Sequence, residues 1–288
     1  MCAPFLGAER PSEQIQKARR VLVGIGVRQN PLLGLLINAF LPWDLAMAFL
    51  LGRIKRDLAA HLPGWLDLWA ELEALCGLAT FGWLQETAVT FPQFLDESGP
   101  VLKMKEMGHP LIPARQRVCN DFTSLLPGAV SIITGSNMAG KSSFLRAIGC
   151  NVVLAGAGAP VVAGSFQLTP LRLFASIQVT DSLSEGYSFF YAEVRRLQAL
   201  LAALRLAGEQ PLFYLIDEIF RGTNNRERLI GSRAYIEALA AEAGAGVVAT
   251  HDLELVRLAE ERPLIRNFHF RDDVVAGEMQ QSPLPVSV

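Results

Sequence analysis

Cysteine is scarce and scattered in this chain: Cys2, Cys76, Cys119 and Cys150 stand alone among 288 residues, without C-x-x-C spacing or a histidine nearby. That pattern excludes a zinc site of paired cysteines and a disulfide framework, and a reducing cytoplasm is the expected setting. An excess of either charge is also missing. With 26 Lys and Arg against 28 Asp and Glu and a pI near 6.1, the chain has no global attraction to nucleic acid, so any DNA contact needs a local patch or further sequence. The start, M-C-A-P-F-L-G-A-E-R, lacks the basic-then-apolar order of a secretory signal. Internal repeats and low-complexity blocks are absent. Arg19 with Arg20, Arg53 with Lys55 and Arg56, and Arg226 with Arg228 lack interleaved aromatics and read as solvated faces.

Long hydrophobic runs are nearly absent too. The one candidate, Pro31 to Leu51, has about the length that spans a bilayer. Asn38, Pro42 and Asp44 interrupt it, and each polar group is costly in hydrocarbon, so two buried core helices meeting near Pro42 are expected instead. What is present in quantity is apolar sequence, 51% of the chain, enough for one large or two modest cores.

Residues 12 to 85 read as helical. Trp65, Leu68, Trp69, Leu72, Leu75 and Leu78 recur at helical spacing and are expected to be core. From Thr87 to Val118 the texture breaks at Pro92, Gly99, Pro100, Gly108, Pro110 and Pro113, with His109 a structural residue of that punctuation. The expected division is a helical segment, 1–97, and an α/β domain, 98–288.

The second part is organised around V-S-I-I-T-G-S-N-M-A-G-K-S-S-F-L-R, Val130 to Arg146. A β-branched run leads through G-S-N-M-A-G-K-S into an apolar-periodic helix, the strand–turn–helix context of a phosphate-binding P-loop. Gly135 and Gly140 permit backbone angles that turn N–H groups inward, where with the helix N-terminus they hold a triphosphate. Lys141 reaches the β and γ phosphates and Ser142 ligates Mg²⁺. The apolar run Leu212 to Glu218 reads as a buried parallel strand delivering two carboxylates to the carboxyl edge of a sheet. Asp217 is placed to hold the Mg²⁺ shell and Glu218 to polarise the attacking water. A third strand, Gly246 to Thr250, ends in His251, which on the same edge can hydrogen-bond a γ-phosphate or the water. Arg172 to Val179 alternates as a strand, and the polar loop from Asp181 opens a helix toward Leu206. Ser188 falls near its first turn, where hydroxyl and free N–H groups can meet an anion. A helix over Leu229 to Ala243 and two strands after Pro263 complete the pattern.

The set T-G-S-N-M-A-G-K-S, D-S-L-S-E-G-Y-S-F-F-Y-A-E, L-I-D-E-I-F-R-G-T-N-N-R-E-R and A-T-H-D-L-E-L resembles the C-terminal ATPase domain of the MutS family of DNA mismatch repair proteins, over about residues 105 to 270. The resemblance implies a P-loop NTPase of ABC type, a mixed sheet flanked by helices and preceded by a smaller all-helical segment. It implies that Gly135, Ser136, Asn137, Met138, Ala139, Gly140, Lys141, Ser142 and Ser143 bind ATP and Mg²⁺. Ser188 takes the position of the signature serine that reaches the γ-phosphate bound by the opposite subunit. Asp217 and Glu218 take the Walker B positions, Gly222 to Asn225, with Asn224 near the nucleotide, the loop that crosses the dimer interface, and His251 the switch histidine. Two ATP sites then form only in a homodimer.

Several features depart from the family. In R-V-C-N, the segment that packs on adenine, Arg117 stands where an aromatic is common, so stacking falls to its guanidinium face or to Val118. D-E-I-F-R-G-T-N-N-R-E-R marks a divergent branch. No Phe-x-Glu occurs, so the mismatch-sensing wedge is missing. The chain is short for the family's other domains and its end stops before the usual closing helices, which favours a fragment. The expected function is an ATP-hydrolysing dimeric switch linked to DNA, with other repair proteins as further partners. The competing expectation is a nucleotide-gated module that holds a partner protein or a membrane. An ABC transporter or chromosome-condensation subunit is disfavoured, because no L-S-G-G-Q precedes the acidic strand.

Overall fold

The computed structural model describes residues 10–26, 31–85, 89–97, 99–124, 127–136, 139–177, 189–206, 208, 210–220, 223–275 and 278–284. The chain divides into two compact units, Met1–Leu78 and Ala79–Val288. The division falls inside a helix, ahead of residue 98, where the motif-bearing domain was expected to begin.

The first unit is helical. It comprises α1 (Pro11–Gly26), α2 (Pro31–Phe40) and most of α3 (Trp43–Leu84). Proline opens α1 and α2 at the position where a missing N–H leaves no bond unmade. The chain breaks at Leu41-Pro42, as the proline predicts, and the Asn38 side-chain oxygen accepts from the Asp44 N–H at 3.0 Å, satisfying one free donor of α3. Trp43 Nε1 donates to the Gly24 carbonyl at 3.1 Å and ties the end of α1 to the start of α3.

The expected burial of these helices is corrected. Leu32 is 77% exposed, Phe40 85% and Phe49 67%. No residue of α3 is buried, and of the Trp and Leu stripe Trp69, Leu72 and Leu75 are exposed. A helix face is buried only where another element covers it, and three helices of this length supply too little covering surface. Among the described residues no helix is long and apolar enough to cross a membrane.

The second unit is mixed α/β. Its main sheet contains β4 (Val130–Gly135), β6 (Arg172–Ser176), β7 (Leu212–Asp217), β8 (Ala245–Ala249), β9 (Ile265–Val275) and β10 (Glu278–Leu284), in the order β10-β9-β4-β8-β7-β6. Every neighbouring pair is parallel except β9 with β10. Parallel strands need crossovers, supplied here by α4 (Lys141–Gly156), α5 (Phe189–Arg205) and α6 (Asn225–Ala240). A smaller sheet, not anticipated from the sequence, has the order β1-β5-β2-β3 and is built from β1 (Gln93–Phe94), β2 (Leu102–Met107), β3 (Asn120–Ser124) and β5 (Ser165–Leu168).

Side chains alternate across the main sheet, as a strand's period of two requires. Ile133, Phe213, Leu215 and Val247 face a core shared with Leu145 and Ile148 of α4 and with Leu102, Met104 and Phe166 of the small sheet. Val130, Ile132, Tyr214, Ile216 and Val248 face a second core with Leu197 and Leu200 of α5 and Tyr235, Ile236 and Leu239 of α6. With both faces covered, β7 is buried along its whole length. It reads as a continuous apolar run for that reason.

Candidate functional site

β4 ends at Gly135 and α4 begins at Lys141, so the glycine-rich turn spans the carboxyl end of a buried strand and the amino end of a helix. Gly135 has φ 147°, and a Cβ there would lie 2.6 Å from the Phe270 carbonyl oxygen. Only glycine fits. Gly140, at φ 85°, is the N-cap of α4 and has no side-chain oxygen to offer the helix. The first N–H groups of α4 are thus left without a side-chain cap, the arrangement that receives an anion. Lys141 is 5% exposed, and its Nζ donates to the carbonyls of Gly135 at 2.7 Å and Ser136 at 2.6 Å. Its charge is held inside the turn. Ala139 is buried, Ser142 half-buried, and Ser136 and Ser143 exposed. Asn137 and Met138 lie outside the described residues.

Register brings the other expected groups to the same edge. Ala249 pairs with Ile133 on one side and Asp217 on the other, and hydrogen bonds from Thr250 N–H to Ile133 O and from Glu218 N–H to Ala249 O, both 2.9 Å, continue the ladder past the strand ends. β8 lies between β4 and β7, so the acids stand two strand spacings from the turn, about 10 Å in backbone terms. Asp217 is buried at 6% exposure. Glu218 and Phe220 adopt left-handed backbone angles, φ 65° and 59°, which cost non-glycine residues about 1–2 kcal/mol each. His251 Nδ1 lies 3.2 Å from Glu218 Oε1. Asp252 meets Arg228 in a two-pronged ion pair, Nε to Oδ2 at 3.0 Å and Nη2 to Oδ1 at 2.9 Å.

Beside the turn lies a cavity of about 430 Å³, lined by Met107, His109, Ile112, Val118, Asn120, Gly140, Ser143, Phe144 and Phe270 among others. Its size suits a base-sized ligand. Of the two stacking alternatives, Val118 lines it. The Arg117 guanidinium is instead bonded to the Ile112 carbonyl and the Gln85 side chain. Burial, with Arg146 and Arg117 adding to it, holds the His109 imidazole below its usual pKa, so it is neutral at neutral pH. Asn120 carries a buried Oδ1 without a protein partner. A larger cavity, about 570 Å³, lies between β3 and β9 and is lined by Phe122, Phe144, Phe268 and Phe270; it does not include the glycine-rich turn.

The structure brings Lys141, Ser142, Asp217, Glu218 and His251 to one sheet edge. Ser188 and Gly222 lie outside the described residues. Asn224 is exposed and caps α6, accepting from the Glu227 N–H at 2.9 Å. Arg228, expected on a solvated face, is corrected: its side chain is only 13% exposed and paired with Asp252. Asp252 was missed because its partner Arg228 is twenty-four residues away, and Asn120 and the cavity role of His109 because only the fold brings them beside Gly140 and Ser143. A local signal did exist for α6: N-x-x-E over Asn224 to Glu227 is a capping box.

The fold and this edge define a mixed α/β protein whose polar functional groups gather at the carboxyl ends of parallel strands. The chain belongs to the MutS domain V family, whose model matches residues 131–282. It is 40% identical over 151 residues to the DNA mismatch repair protein MutS of Granulibacter bethesdensis, a match covering 52% of this chain and 16% of that protein. Over 178 residues it is 36% identical to the DNA mismatch repair protein MutS 2 of Halobacterium salinarum, covering 59% of this chain and 20% of that protein. The chain therefore matches a fifth or less of the length of these relatives. The family match takes in the turn, both acids and His251, and begins after the cavity residues 107–120.

Proposed function

We propose that residues 98–288 form a P-loop ATPase of ABC type, in a divergent MutS branch, that binds and hydrolyses ATP as a homodimeric switch linked to DNA and to mismatch repair or related DNA maintenance. The observation that carries this reading is the meeting of a buried lysine on an uncapped helix N-terminus with Asp217, Glu218 and His251 on the same sheet edge.

The residues fit the ligand. Gly135 to Ser143 hold the phosphates, and the adenine enters the cavity beside Val118, where Asn120 Oδ1 offers an acceptor to an exocyclic amine. Ser142 and Asp217 would hold Mg²⁺. When bound, the metal neutralises charge on the transferring phosphoryl group. Glu218 orients the attacking water and His251, at 3.2 Å from it, steadies that carboxylate. Ser188 and the loop from Gly222 to Asn225 complete the site in a second copy, so turnover depends on dimerisation.

Glu218→Gln tests this directly. The variant is expected to bind Mg·ATP, to gain dimer in its presence by analytical ultracentrifugation, and to hydrolyse at least about a hundredfold more slowly than the parent. Hydrolysis at the parent's rate would remove Glu218 from its role.

A second reading, a nucleotide-gated module holding a membrane or partner protein, is favoured by the exposed Leu32, Leu35, Phe40 and Phe49. Flotation of the chain with vesicles that survives a high-salt wash would support it.

A further inference from the structure

The turn that carries Glu218 is held from behind by α5, through Glu193 and Phe190. Glu193, one turn into α5, is 3% exposed, and its Oε1 accepts the Phe220 N–H at 2.7 Å. A buried carboxylate is costly unless hydrogen-bonded, and here it is aimed at a backbone donor of a segment where two non-glycine residues adopt left-handed angles, Glu218 and Phe220. Such angles persist only when the surroundings impose them.

The surroundings do so from two helices. The Phe220 ring packs against Phe190 of α5 and Tyr235 of α6, with centroids 6.2 and 6.3 Å apart. A Cβ at position 231 of α6 would lie 2.9 Å from that ring, so Gly231 opens the place the ring occupies. Tyr235 in turn donates its hydroxyl to the Leu197 carbonyl of α5 at 2.8 Å. Glu193 thus closes a bracket of α5, Phe220 and α6 around the turn that presents Glu218.

We propose that Glu193 is a positioning residue for ATP hydrolysis: by accepting the Phe220 N–H it fixes the strained turn and with it the direction of the Glu218 carboxylate. This rests on the ATPase reading above. It makes α5, the helix that starts one residue after Ser188, the element whose placement sets the water-activating group. The nucleotide-binding turn is left untouched.

The test is steady-state ATPase and equilibrium Mg·ATP binding on the full chain, for Glu193→Gln, Glu193→Asp and Glu193→Ala beside Glu218→Gln. Gln keeps an oxygen acceptor at the same reach, whereas Asp keeps the charge but withdraws the oxygen by one methylene. The expected order is Gln close to the parent in kcat, with Asp and Ala lower by about tenfold to a hundredfold, the range for a group misplaced by an ångström. ATP binding is expected to stay within about twofold of the parent, since kcat and not ground-state binding is affected. Parental kcat in Glu193→Asp, or Gln falling as far as Asp, would overturn the proposal while an inert Glu218→Gln left the ATPase reading intact. If Ala does not fold, the Gln and Asp pair still decides. Glu218→Gln turning over at the parent's rate would instead sink the ATPase reading, and this inference with it.

Discussion

Removing one partner of the Arg228–Asp252 pair is expected to destabilise the α/β unit more than removing both. The pair is two-pronged at 3.0 and 2.9 Å, with side chains 13% and 18% exposed. The Asp252 contact also pushes the arginine's pKa up. Exposed pairs contribute about 0–1 kcal/mol, and breaking a fully buried one costs about 3–5 kcal/mol. This pair keeps a partial opening to solvent, so Arg228→Met should cost about 2 kcal/mol, set between those limits. For a unit of this size that corresponds to a Tm lower by about 4–8 °C. Asp252→Leu should cost a similar amount. The double variant removes both charges from a site that can close over apolar groups, and should cost about 1.5 kcal/mol, less than either single and about 2.5 kcal/mol less than their sum. Urea denaturation of the four proteins gives the cycle. Singles that add to within about 0.5 kcal/mol would refute the pairing as an energetic unit.

Two further substitutions have opposite expected signs. Tyr214, in the middle of β7, has a fully buried hydroxyl without a partner, and burial drives its pKa upward. Tyr214→Phe should therefore raise stability by about 1 kcal/mol, the lower end of the cost of an unsatisfied buried group; a drop of that size in a denaturation curve would mean the hydroxyl is bonded. Asn224→Ala should lower stability by about 1 kcal/mol through the lost α6 cap while Asn224→Asp retains it, and equal stability of the two variants would contradict the capping role.

Much of the α/β unit was legible because its strands carry their burial in their own sequence. β4, β7 and β8 are buried, mostly apolar runs, as strands covered on both faces are, and the candidate site residues lie at or just past their carboxyl ends. α6 starts at Asn225 and not Leu229, because the Asn224 side chain caps the Glu227 N–H and fixes its first turn ahead of the apolar periodicity. The small sheet was hidden: β2, L-K-M-K-E-M, alternates over few residues between glycines and prolines, and its partner β5 lies beyond α4. Arg228 looked like surface because its counter-charge is twenty-four residues away, and Glu193 gave no signal because its partner is a backbone N–H twenty-seven residues away. Apolar sequence alone also misled. Pro31 to Leu51 has the composition of a core, but Leu32, Leu35 and Phe40 are left exposed by the described residues.

Titration calorimetry of Mg·ATP into the parent chain and into Lys141→Ala bears most directly on whether this sheet edge is a nucleotide site. The parent should bind, and the variant, with its fold confirmed by circular dichroism, should bind about 10–100-fold more weakly, the value of a charged hydrogen-bonding partner to phosphate. Equal affinity of the two proteins would contradict the account.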